Sequence, residues 1–307
     1  MLTLAPIVLF VYNRPEHTRK TLEALQRNDF ASESVLYIYA DGAKENAADR
    51  QIQAITATRA VIKEQKWCGE VHIIESVHNK GLAASITKGV THVVKRHGTV
   101  IVLEDDIITS MYFLRYMNDA LDYYKEEDRV MHVSAYFPAI DNVKEKFFFY
   151  NQTSCWGWAT WDKSWGHYEK DALILHSQIE AQDRVREFNV EDSYPFTEHL
   201  QNNINGLWDT WAVKWHASVF LLNGLCLHPN KSYTENIGFD GTGTNCGIDS
   251  SYVASNLNEL TFSPVNFFYP NKKILKLVVK HNLSRSRRVE YSFRKRIIRK
   301  IKQMIQW

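Results

Sequence analysis

The chain has 307 residues, 45% of them hydrophobic, 13% aromatic and 23% charged, a composition that supports one large folded domain and excludes a disordered polyampholyte. No apolar run approaches the ~20 residues that span a bilayer, and four scattered cysteines without a C-x-x-C pair exclude a disulfide framework or zinc ribbon. The net charge of +2 is uneven: nine Lys or Arg between Arg285 and Lys302 face the single Glu290, an excess of +8 that leaves −6 for the remainder.

The first hundred residues alternate between two periods. Ala5 to Tyr12 is a β-rich run, expected as a first strand and not a signal peptide because it lacks a basic leader and contains Pro6. Pro15 then opens a helix in which Leu22 and Leu25 recur at helical spacing. SVLYIYA is the second strand, Asp41-Gly42 a turn, and 47–64 the next helix; VHIIESV, the turn HNKG, the helix LAASITKGVTHVVKRHG and the strand TVIVLE follow. This β-α-β-α-β-α-β order, with strands too apolar for a wet face, predicts a mostly parallel central sheet flanked by helices.

Ligands of such sheets lie beyond the carboxyl ends of the strands. Four polar sets should therefore converge: Asn13-Arg14, Asp41-Gly42, His78 to Gly81, and Glu104-Asp105-Asp106. Neither G-x-G-x-x-G nor G-x-x-x-x-G-K-[ST] occurs, so a dinucleotide fold or P-loop has no support.

An acidic triplet at a strand end has the chemistry of a partial Mg2+ or Mn2+ site completed by substrate phosphates. Its alternative is a helix start, with Asp105 or Asp106 capping Ile107 onward. Arg14 is the natural cation for a diphosphate, Lys80 and Lys88 weaker candidates, and Asp41 serves a nucleobase or simply its own turn.

Beyond Asp106 the chain reads as a helix over 112–124, a strand RVMHVSAY, a β-like run KFFFYN, CWGWATW, several helices, and LWDTWAVKWHASVFLLN. The tryptophans clustered from Trp156 to Trp215 suit either ring-shaped ligands or an aromatic core. Asp209 in W-D-T-W is placed to cap the helix reaching Asn223. The Gly- and Asn-rich loop 233–250 is long enough for a lid or substrate loop.

The ordered set V-Y-N-R-P, A-D-G, V-L-E-D-D, V-S-A-Y, W-D-T-W and L-C-L-H-P, spanning Ala5 to Tyr233, resembles the GT-A (Rossmann-like) nucleotide-sugar glycosyltransferases, and among them the N-acetylglucosaminyltransferase I family. The resemblance implies an inverting, metal-dependent transferase with a UDP-sugar donor. Arg14 would bind the nucleotide end, Asp41 uracil, Glu104 the donor sugar, Asp105 the ribose, and Asp106 would be the sole protein ligand of Mn2+ or Mg2+. Asp209 would be the catalytic base. Lys88 stands where the family has a histidine near uracil. Luminal members carry an anchoring helix and disulfides, so this chain is expected to be bacterial and cytoplasmic, serving polysaccharide or glycolipid assembly.

The expected organisation is a nucleotide-sugar half over 1–109, an acceptor-binding half of the same domain over 110–282, and a basic amphipathic tail helix over 283–307. In the tail Phe293, Ile297, Ile298, Ile301 and Met304 share one face, so Ser292 to Trp307 could lie on an anionic membrane beside a lipid-linked glycan acceptor, dock on the acidic body, or mediate oligomers. The rivals are a sugar-phosphate nucleotidyltransferase and a non-catalytic carbohydrate-binding relative; nucleic acid is not an expected partner.

Overall fold

A computed structural model describes residues 3–241 and 257–285. The tail from Ser292 and the loop after Gly241 lie outside the described residues. Among the described residues no helix is long and apolar enough to cross a membrane.

The first half follows the alternation of its sequence: β1 (Ile7–Val11), α1 (Pro15–Gln26), β2 (Val35–Ala40), α2 (Asp49–Val61), β3 (Glu70–Glu75), α3 (Leu82–His97) and β4 (Thr99–Glu104). These strands pair in parallel in the order β3-β2-β1-β4. β1 and β4 are almost entirely buried, as their uninterrupted apolar runs require. β3 is the edge strand, and its exposed Glu70 and His72 fit that place better than the fully covered strand expected from the pattern.

The chain then passes through β5 (Ile107–Thr109), α4 (Phe113–Tyr123), β6 (Val130–Ser134), β7 (Phe147–Tyr150), β8 (Trp158–Trp161), α5 (Asp162–Trp165), α6 (Ala172–Ala181), α7 (Val185–Phe188), α8 (Phe196–Ile204), α9 (Ala212–Leu221), β9 (Leu225–Pro229) and β10 (Thr234–Asn236). A last described helix covers 272–285. The sheet continues as β4-β8-β6-β9-β7 with parallel pairing only between β6 and β9, so the eight strands are parallel in the first half and mixed in the second. A separate ribbon pairs β5 with β10.

Helices cover both faces. One layer packs Leu22 and Leu25 of α1, Val61 of α2 and Leu114 and Met117 of α4 against Ile7, Leu9, Ile38, Ile101 and Leu103. The other sets Ile86, Val90, Val93 and Val94 of α3 against Val8, Val100 and Val102. Each such side chain contributes about 1.5–3 kcal/mol by leaving water. α3 lies very close to the sheet because Gly89 faces β1: a Cβ there would come within 2.8 Å of the Phe10 ring. A third cluster joins α6, α8 and α9 to Ile274 and Val278 of the last helix.

The tryptophans divide. Trp158 stacks on Trp211 with centroids 5.2 Å apart, and Trp165 meets Trp215 at 5.0 Å, all four buried, which is the aromatic-core alternative. Trp208 is 44% exposed.

Candidate active site

The register of β1 and β4 builds the site. Phe10 lies opposite Glu104, so the residues just after each strand, Tyr12 to Arg14 and Asp105-Asp106, emerge together at the carboxyl edge. Pro15 opens α1 there, leaving Arg14 at the N-cap without a capping side-chain bond. Its guanidinium turns instead to the acids: Nη1 donates to Oδ2 of Asp106 at 2.8 Å and lies 3.9 Å from Oδ1 of Asp105. The helix-start reading of the triplet fails, because Ile107–Thr109 is the strand β5, paired antiparallel with β10. The short ribbon carries Asp106 away from the sheet edge, and its carbonyl accepts from the backbone N–H of Ile237 at 2.9 Å.

One guanidinium serves three acids. Burial pushes the Glu104 carboxyl well above the usual carboxylate range, and the charges of Asp106 and Asp105 push it further. Asp105 moves the same way through burial and Asp106, opposed by Arg14 and by the backbone N–H of Tyr12. The sheet edge is therefore short of positive charge.

Asp41 builds the neighbouring wall. Its carboxylate accepts from the backbone N–H of Gly42 at 2.9 Å, of Lys80 at 2.9 Å and of Gly81 at 3.0 Å, and from Nδ2 of Asn79 at 3.0 Å. It therefore fixes the 79–81 turn just before α3, where a negative charge also suits the helix dipole. The four expected strand-end sets thus meet as two pairs, the first with the fourth through Arg14 and Asp106 and the second with the third through Asp41 and 79–81.

Lys88 and Asp209 are not joined to the acidic cluster by any hydrogen bond or ion pair among the described residues. Lys88 is exposed on α3. Asp209 lies before α9, its side chain 74% exposed, with Nζ of Lys214 3.4 Å from Oδ1. It does not cap α9, whose N-cap is Trp211. Burial raises the Tyr168 pKa and the Asp209 charge adds to that rise, against a hydrogen bond between Tyr168 and Thr87 of α3.

Three further participants escape a sequence reading. His17 lies one helical turn after Arg14, and its Nε2 is 3.1 Å from Asp240, whose other oxygen is 3.5 Å from Nη2 of Arg14. Burial and the Arg14 charge lower the His17 pKa, against Asp240 and Asp106. Gly238 is pressed against Asp106: a Cβ at that position would overlap Oδ2 of the carboxylate. The i,i+3 spacing of Arg14 and His17 was a usable signal. For Gly238 and Asp240 the only signal was their place in the long loop 233–250; their meeting with Asp106 and Arg14 depends on β10, which brings them in from more than 120 residues away.

Among the described residues no three His, Cys, Asp or Glu side chains converge to hold a metal alone. The donor set nevertheless fits a hard divalent cation: all-oxygen, charge-deficient, and with Asp106 at its outer end. Further oxygens would have to come from a ligand.

No protein-family model matches the chain, and no curated protein matches it. Among solved structures it is similar to the mannosyltransferase PcManGT from Pyrobaculum calidifontis in complex with GDP-Man and Mn2+, at 9% identity over 71% of this chain and 69% of that one, with a TM-score of 0.39. It is also similar to S. aureus TarS, at 11% identity over 76% of this chain and a TM-score of 0.39, where it spans only 36% of the longer protein. Mouse xyloside xylosyltransferase 1 matches at 11% identity over 71% of this chain and 81% of that one, again with a TM-score of 0.39.

Proposed function

We propose that this chain is an inverting, metal-dependent glycosyltransferase of the GT-A type that moves a sugar from a UDP-sugar to a hydroxyl of a glycan or lipid-linked glycan. The observation that carries the reading is the strand-edge cluster: three acids, one of them accepting from Arg14 at 2.8 Å, where an open α/β sheet binds ligands. The ordered resemblance from V-Y-N-R-P to L-C-L-H-P supplies the reaction class.

In this reading Asp106 would hold Mn2+ or Mg2+, which would supply charge neutralisation to the departing diphosphate. Arg14, which donates to Asp106 at 2.8 Å, would share its charge with the nucleotide phosphates. Glu104 and Asp105 face the donor sugar and ribose, with Asp41 and Lys88 at the base. Asp209 takes the proton of the acceptor hydroxyl while that oxygen attacks the anomeric carbon opposite the leaving group. The setting is the bacterial cytoplasm, with Ser292 to Trp307 on the inner membrane face during polysaccharide or glycolipid assembly.

Thermal-shift measurements with nucleoside diphosphates, with and without Mn2+, test the reading. Stabilisation by UDP that requires metal and disappears in Asp106→Ala is the expected outcome; no metal-linked stabilisation by any nucleoside diphosphate defeats it. Asp209→Asn should keep UDP binding and lose transfer, and retained transfer would remove Asp209 from the base role.

A further inference from the structure

A second cavity of about 480 Å³ lies along the α2–β3 edge, but a larger one, of about 1020 Å³, carries more chemistry. Arg27, Lys144, Lys146 and Lys231 line it, against the single acid Glu259. Among the described residues none of these four cations forms an ion pair. A concave site with uncompensated positive charge raises the local concentration of anions.

The walls are fixed by backbone bonds. β7 and β9 run antiparallel with Phe147 opposite Pro229, and the ladder continues as Asn230 N–H donates to the Lys146 carbonyl at 2.9 Å. Lys146 and Lys231 therefore leave the same ladder end. Asn258 is fully buried and pins the Lys231 backbone, its Nδ2 donating to that carbonyl at 2.9 Å. On the opposite wall Arg27 follows α1, and Asn28 beside it donates to Oγ1 of Thr109 at 2.9 Å.

A second observation points to a ligand. Ser110 lines the cavity, is 7% exposed, and its hydroxyl has no hydrogen-bond partner among the described residues. A buried hydroxyl left without a partner costs about 1–3 kcal/mol, a deficit that a bound oxygen would remove. No described lining residue is aromatic, so the stacking platform of a single-stranded nucleic-acid site is missing. The concavity and the hydroxyl and amide groups also differ from a convex membrane-facing surface.

We propose that this groove binds a short polyanion through its phosphate or carboxylate groups. It is separate from the acidic cluster: the chain from Asp106 through β5 (Ile107–Thr109) to Thr109 spans about 10 Å at the usual rise per residue. The inference does not depend on the transferase reading.

The test measures binding of tripolyphosphate, trigalacturonate and neutral maltotriose to the full chain in EDTA. At least one charged trimer should bind and maltotriose should not, and the charged probe that binds identifies the recognised group. Lys144→Ala/Lys146→Ala/Lys231→Ala should weaken that binding at least ten-fold while leaving the carboxyl-terminal basic residues intact. Ser110→Ala should weaken it about three-fold without lowering thermal stability in the absence of probe, because the hydroxyl has no partner to lose. Unchanged affinity in the triple variant overturns the proposal, as does failure of both charged trimers. Groove-dependent binding to anionic phosphatidylglycerol vesicles without trimer binding also overturns it.

Discussion

Replacing Arg14 with Met removes the charge that serves Asp106 and Asp105 while keeping much of the side-chain bulk. At an effective dielectric of about 20, the 2.8 Å contact with Asp106 corresponds to roughly 6 kcal/mol of gross attraction. Desolvation of the guanidinium, whose side chain is only 11% exposed, offsets about half of it. The net loss expected at about pH 8 is therefore about 3 kcal/mol, the scale for breaking a buried pair. The pH dependence separates charge from packing. Glu104 and Asp105 have raised carboxyl pKa values in the folded chain, so the native state holds their protons more tightly than the unfolded one. The stability they contribute is present below the unfolded carboxylate value and is lost as pH rises through the raised folded values. Removing Arg14 takes away a charge that lowers the Asp105 value, so the decline steepens in Arg14→Met. Urea unfolding should show a deficit of about 3 kcal/mol near pH 8 and a smaller one near pH 5, where Asp105 holds its proton, and Arg14→Met/Asp106→Asn should recover most of it. An equal deficit at both pH values, with no recovery in the double variant, would refute the charge argument and leave Arg14 as a packing residue.

Three other outcomes are expected. Gly238→Ala should push Asp106 aside, lowering stability by about 1–3 kcal/mol in urea and abolishing metal-linked nucleotide stabilisation in the same thermal-shift assay. Asp41→Ala should cost about 2 kcal/mol and speed amide exchange at Lys80 and Gly81, whose N–H groups lose their acceptor; unchanged exchange would mean that the turn holds itself. The His17 imidazole, followed by NMR, should titrate below its ordinary value and move upward in Arg14→Met, because that guanidinium is one of the charges holding it down.

The legible parts of the fold were those with local causes. β1 to β4 and α1 to α3 follow from periodicity, from Pro15 at a helix start and from Gly98 at a helix end in the left-handed region. Arg14 and the triplet were legible for a related reason, since the first residues after parallel strands are brought together by strand register. The ribbon was not. Ile107–Thr109 is too short to show a period, and its partner lies some 125 residues later, so a helix cap competed on equal terms and lost only to tertiary pairing. His17, Gly238 and Asp240 became site residues through that same pairing. Asp41 was ambiguous because a carboxylate after a strand serves its own turn and a ligand with the same oxygens.

The acidic edge is also where the sequence departs from what stability alone would favour. A buried apolar strand ending in three carboxyls carries a charge excess that one arginine does not balance, and the raised pKa values of Glu104 and Asp105 express that imbalance in the folded state. Replacing a buried charged group by a well-packed apolar one is often neutral or stabilising, so packing gives no reason for the arrangement. Its neighbours increase the constraint: Gly238 packs so close to Asp106 that a Cβ there would overlap the carboxylate, and Asp240 draws on the same guanidinium. Local rules broken without local compensation mark functional sites more often than defects. What would complete this one is positive charge arriving with a ligand. The unpaired lysines of the second groove are the converse, a cationic surface completed by an anion, and the two sites lie at opposite ends of one three-residue strand.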